Sequence, residues 1–176
     1  MGWEEIAAKL PLEKTEEQKQ ERAKIFDGFD PNGNGYLSLA ECDRGCRDIL
    51  GLGDVLPKPV IMRAYQISKD IAQKDGKNMS KNAGDYIERN EFRLFLVYLN
   101  RYLQLWRMFS NMDDDNDRRM TYEEFEKGIN KLIEWGVTVE DPKAKFNEID
   151  TNNGGVILFD EFSKWAMEAL LQTEKD

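Results

Sequence analysis

Three twelve-residue stretches obey one rule: an acidic side chain at the first position, an acidic or amide side chain at the third, and glutamate at the twelfth. They are DPNGNGYLSLAE at 30–41, DDDNDRRMTYEE at 113–124 and DTNNGGVILFDE at 150–161. Side chains at alternate positions of a tight turn face inward together. A carboxylate nine to eleven residues further on can join them only if the chain doubles back. The apolar residues ahead of each stretch show how it does so. Ile25, Phe26 and Phe29 precede the first, Phe109 and Met112 the second, and Phe146 and Ile149 the third, at the spacing of a helical face. Each stretch is therefore predicted to be a loop between two helices.

The inward-facing donors are oxygens, which suits a hard cation. Ca2+ wants roughly six to eight oxygens. The helix–loop–helix calcium site, or EF-hand, takes them from positions 1, 3 and 5, the carbonyl of 7, often a water at 9, and both oxygens of a glutamate at 12, with glycine at 6 for the turn. In the loop at 30–41 these places hold Asp30, Asn32, Asn34, the Tyr36 carbonyl, Ser38 as a water holder, and Glu41, with Gly35 at the turn. The loop at 113–124 offers Asp113, Asp115, Asp117, the Arg119 carbonyl and Glu124. The loop at 150–161 offers Asp150, Asn152, the Val156 carbonyl and Glu161, with Gly155 at the turn. Its fifth and ninth positions are Gly154 and Leu158, so waters must complete the shell and the site is expected to be weaker. Two to three Ca2+ ions are expected.

Arg118 stands where the turn asks for glycine. A positive φ costs a non-glycine residue about 1–2 kcal/mol. At 1.4 kcal/mol per tenfold, the third loop is expected to be weakened about five- to thirtyfold but not silenced. Arg118 and Arg119 are also expected to relieve repulsion among the carboxylates of the empty loop.

A fourth repeat is damaged. Counting back from Glu91 puts Ser80, Asn82, Gly84 and Asp85 at positions 1, 3, 5 and 6, and Ile87 at position 8, matching Leu37, Met120 and Ile157. The stretch KDGKNMSKNAGD at 74–85 reads as an inserted loop. This unit is expected to pair its backbone with the first loop without holding an ion.

The resulting fold class is all-α: four EF-hand units in two lobes, 1–99 and 100–176, with short paired β segments between loops. Eight loop-flanking helices are expected. Thr15 and Gln18 suggest a capping box at the start of the first. An extra N-terminal helix carries Trp3, Ile6 and Leu10 on one face and ends at Pro11. Its stripe is read as core packing in preference to a partner surface. WGVTVEDP at 135–142 links the third and fourth hands.

Composition excludes several alternatives. The net charge is −9, with 15 basic and 17 acidic residues in 1–99 against 10 and 17 in 100–176. Nucleic-acid binding through a basic footprint is not expected. The chain has no histidine, so histidine bases, catalytic triads and histidine metal sites are ruled out, and no enzyme is expected. Cys42 and Cys46, at i and i+4, are read as buried apolar residues. The N-terminus lacks the basic and apolar regions of a signal peptide, and no apolar run is long enough for a membrane span, so a cytoplasmic location is expected.

Three blocks carry a more specific likeness: WEEIAAKLPLEKTEEQKQERAKIFDGFD, EFRLFLVYLNRYLQLWRMF and KLIEWGVTVEDPKAKFNEIDTNNGGVILFDEFSKWA. From Trp3 to about Trp165 the chain resembles the calflagins, the flagellar calcium-binding proteins of trypanosomes. The resemblance implies four EF-hands, a calcium-sensing role, a protein or membrane-associated target, and attachment to the flagellar membrane through an acylated N-terminus. Here Gly2 is followed by Trp3, and Ile6 stands at the Ser/Thr place of the myristoylation pattern, so this N-terminus does not support a lipid anchor. The first loop, often degenerate in the family, is intact here. The leading reading is a calcium sensor. The alternatives are a buffer that does not open, or a structural scaffold.

Overall fold

The computed structural model describes residues 1–75 and 85–175. Ser80, Asn82 and Gly84 of the damaged repeat, with most of the inserted loop, lie outside them. Helices dominate the described residues, and the strands are two-residue pieces. Packing divides the chain into two compact units, Met1–Leu103 and Gln104–Asp176.

In the first unit, α1 spans Trp3–Ala8, α2 Glu16–Phe29, α3 Leu39–Arg44 and α4 Lys58–Asp75. Thr15 caps α2 by accepting the Gln18 N–H at 3.3 Å. The expected capping box is only half made, because the Gln18 carboxamide turns away to the Glu13 N–H. Ile6 and Leu10 are buried, in accord with core packing. The segment after α1 is tied down through its backbone: Arg22 donates to the Pro11 carbonyl at 2.8 Å, and Arg93 to that of Leu12 at 2.7 Å. Ser38 caps α3 and exchanges bonds with Glu41.

Beyond Arg44 the helix loosens into a π turn over Gly45–Ile49, closed by Leu50 N–H donating to the Gly45 carbonyl. A Cβ on Gly45 would lie 2.4 Å from the Phe29 ring, so this glycine lets α3 settle on the end of α2. Cys42 and Cys46 are both buried free thiols. Strand β1 (Tyr36–Leu37) pairs antiparallel with β2 (Ile87–Glu88), placing Leu37 opposite Ile87. The core gathers on Phe92, whose ring meets Phe26 and Phe29 edge-on at 5.3 and 5.2 Å.

Helix α5 spans Phe92–Met112 and supplies residues to both units. The sequence reading counted eight loop-flanking helices and took residues 89–111 as a nearly continuous apolar stretch joining the second hand to the third. The two hands share a single helix there, because these 21 residues contain no glycine or proline to break it. The described residues therefore hold eight α-helices, α1 included.

In the second unit, α6 spans Tyr122–Glu134, α7 Pro142–Ile149 and α8 Phe159–Lys175. Gly136, at φ 87°, ends α6 in the left-handed conformation that a helix C-terminus favours. Asp141 caps α7, with proline in the first helical turn. Strand β3 (Arg119–Met120) pairs antiparallel with β4 (Ile157–Leu158), setting Met120 opposite Ile157. Phe109 contacts Phe159 and Phe162, and Phe146 contacts Tyr122 and Phe125. No helix among the described residues is long and apolar enough to cross a membrane.

Candidate metal centres

Each loop starts from a buried carboxylate. Asp30, Asp113 and Asp150 are the last residues before the turn, 7%, 4% and 5% exposed. Each accepts the N–H of the sixth residue: Gly35 to Asp30 at 2.8 Å, Arg118 to Asp113 at 2.8 Å, and Gly155 to Asp150 at 2.9 Å. That bond requires the sixth residue to turn back, and its φ is 84° at Gly35, 65° at Arg118 and 82° at Gly155. The fourth residue is left-handed too: Gly33, Asn116 and Asn153 at φ 67°, 56° and 55°. Asparagine tolerates this region better than most side chains. The requirement at the fourth position was not anticipated from the sequence, although Gly-Asn-Asn at equivalent places was a readable signal.

Side chains at the third and fifth positions accept backbone N–H groups two residues on. Asn32 receives Asn34 N–H at 3.2 Å, Asn34 receives Tyr36 N–H at 3.1 Å, and Asp117 receives Arg119 N–H at 2.8 Å. These local turns curl the loop around its own centre. In the third loop, oxygens of Asp113, Asp115 and Asp117 all lie within 4.8 Å of one another. Burial raises the Asp113 carboxyl above the ordinary carboxylate range; the nearby Asp115, Glu124 and Asp117 carboxylates add to this, and the Arg118 N–H opposes it.

The twelfth-position glutamates differ. Glu124 reaches back across its loop to the Asp114 N–H at 3.1 Å and also takes the Thr121 N–H at 2.8 Å. Glu161 reaches Asn152 N–H at 3.1 Å and Leu158 N–H at 3.0 Å. Glu41 gives one oxygen to the Ser38 hydroxyl at 2.8 Å, while its other oxygen is buried without a hydrogen-bond partner. Ser38, expected to hold a water, is thus engaged with Glu41 and the α3 cap. Asp113 also keeps one buried oxygen with no hydrogen-bond partner.

Arg118 does not sit where the electrostatic argument placed it. Its guanidinium stands over the Trp106 ring on α5, 6.0 Å from the centroid. Among the described residues the cation that meets a third-loop acid side chain is Lys127, 3.7 Å from Asp114, which is not at a ligand position. Arg118 is therefore turned to the Trp106 ring rather than paired with the cluster.

These residues fit a calcium ion. Ligands on opposite sides of Ca2+, at 2.3–2.6 Å each, lie roughly 4.6–5.2 Å apart, so oxygens gathered within 4.8 Å can share one ion. A buried carboxylate oxygen with no donor is costly unless a cation meets it. The donor set is all oxygen, as a hard cation prefers.

Helix–loop–helix units joined in pairs through two-residue strands, with acidic oxygens turned into each loop, define a calcium-binding EF-hand protein. Residues 6–99 match the FCaBP EF-hand domain family, and residues 102–167 match the EF-hand domain pair family. Flagellar calcium-binding protein TB-24 of Trypanosoma brucei brucei is 40% identical over 177 residues, spanning 98% of this chain and 78% of its own length. The flagellar calcium-binding protein of Trypanosoma cruzi is 36% identical over 176 residues, spanning 99% of this chain and 82% of its own. The chain belongs to the flagellar calcium-binding protein family.

Proposed function

We propose that this protein is a calcium sensor with strong sites in its first and third loops, a weaker one in its fourth and none in its second. Asp30, Asn32, Asn34, the Tyr36 carbonyl and Glu41 would hold the first ion. Asp113, Asp115, Asp117, the Arg119 carbonyl and Glu124 would hold another. Asp150, Asn152, the Val156 carbonyl and Glu161, completed by water, would make the weaker site. The observation that carries this reading is the pair of buried oxygens without hydrogen-bond partners, on Glu41 and Asp113, within loops of the required spacing. A bound cation supplies the positive charge those oxygens lack.

The sensing part rests on the loop-flanking helices, which pack through apolar faces and can reorient when a loop closes. The trypanosome relatives are flagellar calcium-binding proteins. A flagellum-associated role, with a protein or membrane-bound target met by the reoriented helices, follows for this chain as part of the proposal. Calcium titration calorimetry with a hydrophobic dye in the cell tests it. Two or three binding events with a rise in dye fluorescence support a sensor. Binding without dye response, and with amide shifts confined to the loops, would make the protein a buffer.

A further inference from the structure

The second hand is wired into the first at two points, one on its loop and one on the helix ahead of it. Tyr65, on α4, is 6% exposed. Its hydroxyl lies 3.1 Å from the Leu37 carbonyl in β1 and 3.1 Å from the Asp85 carbonyl just ahead of β2. A single O–H proton is therefore shared between the two chain segments that form the strand pair. Arg89, just past β2, makes the second connection. It donates to the Asp27 carboxylate and, at 3.3 Å, to the Ala23 carbonyl on α2, and its guanidinium stacks 4.4 Å from the centre of the Phe26 ring. One contact fixes the loop and the other fixes the helix that leads into it.

We propose that the second hand is a metal-free brace for the first site, and that Tyr65 is the positioning residue through which it sets calcium affinity there. The inference rests on reading the first loop as a calcium site. Leu37 follows Tyr36, whose carbonyl is the seventh-position ligand. Holding the Leu37 carbonyl on Tyr65, with Tyr36 in register against Glu88, leaves the Tyr36 carbonyl few orientations. In a pair of metal-filled hands the second ion orders its own loop and, through the strands, its neighbour's. Here hydrogen bonds from Tyr65 and Arg89 do that work. A loop already ordered loses less freedom on binding, so its affinity is higher. Loss of one such hydrogen bond is expected to weaken the first site about fivefold.

The test is a calcium titration of the full chain followed by amide NMR, with the Gly35 amide reporting the first loop and the Arg118 amide the third. In Tyr65→Phe the Gly35 midpoint should move to about fivefold higher calcium while the Arg118 midpoint stays in place. Arg89→Gln, which alters a half-exposed side chain and leaves the core intact, should move the Gly35 midpoint the same way by a smaller factor. A lower melting temperature with an unmoved Gly35 midpoint would make Tyr65 a purely structural residue and overturn the inference. Equal shifts at Gly35 and Arg118 would overturn it too. A wild-type Gly35 amide that ignores calcium would instead overturn the calcium reading of the first loop, and the brace with it.

Discussion

Replacing Arg118 by glycine should tighten the third loop. The backbone there sits at φ 65°, in the left-handed region that the first and fourth loops fill with Gly35 and Gly155. For a residue with a Cβ that conformation costs about 1–2 kcal/mol. The substitution also removes the guanidinium from the Trp106 ring, and at 6.0 Å on the surface that contact is worth about 0.5 kcal/mol. The balance is about 1 kcal/mol in favour of glycine, or about fivefold in affinity. This is less than backbone strain alone suggests, because Arg118 has a stacking partner. The assay is calorimetric titration at fixed ionic strength on wild type, Arg118→Gly and Arg118→Ala. Alanine keeps the Cβ, and therefore the strain, while losing the charge. Glycine should raise affinity and alanine should not. An unchanged or lower affinity in Arg118→Gly would show that backbone strain does not limit this site. Equal gains in both variants would assign the effect to the lost charge.

Two further outcomes follow from the packing and the charges. Gly45→Ala pushes a methyl to 2.4 Å from the Phe29 ring, and overpacking of that kind should destabilise the first unit by about 1–3 kcal/mol, read as a lower denaturation midpoint in chelator; an unshifted midpoint would mean that the π turn yields freely. The Asp113 carboxyl is raised in the metal-free chain, chiefly by burial, whereas a bound cation would keep it ionised. Affinity at the third loop should therefore fall as pH drops through that raised value, and more steeply than at the first loop, which has two carboxylate ligands to the third loop's four. For stability without calcium the sign reverses: a carboxyl raised above its unfolded value weakens the fold once ionised, so the contribution of Asp113 improves as pH falls through its raised value. Amide-resolved titrations that lose affinity in parallel at the two loops would refute the assignment.

Much of the architecture was legible because EF-hand geometry is written as fixed spacing. Counting from Glu41, Glu124 and Glu161 placed the positive-φ residues at Gly35, Arg118 and Gly155. The apolar eighth position paired Leu37 with Ile87 and Met120 with Ile157. What spacing did not encode was less visible. Helical periodicity cannot report the single extra residue of the π turn at Gly45–Ile49, because the burial of Cys42 and Cys46 looks the same either way. The fusion of two of the counted helices into α5 depended on the absence of a breaker, a weaker signal than the presence of one. The placement of Arg118 on Trp106 joins residues twelve apart across a helix end, and charge counting pointed it at the carboxylates instead. Tyr65 was not singled out from the sequence, since nothing there distinguishes a core ring from one whose hydroxyl bridges two strands.

Calcium binding at the first and third loops is tested most directly through the twelfth-position glutamates. Glutamine keeps the shape of the side chain but gives up the charge and one of the two ligand oxygens. Calorimetric titration of wild type, Glu41→Gln and Glu124→Gln should show each variant losing one binding event while retaining the others. A variant that binds calcium with wild-type stoichiometry would contradict the assignment of its loop.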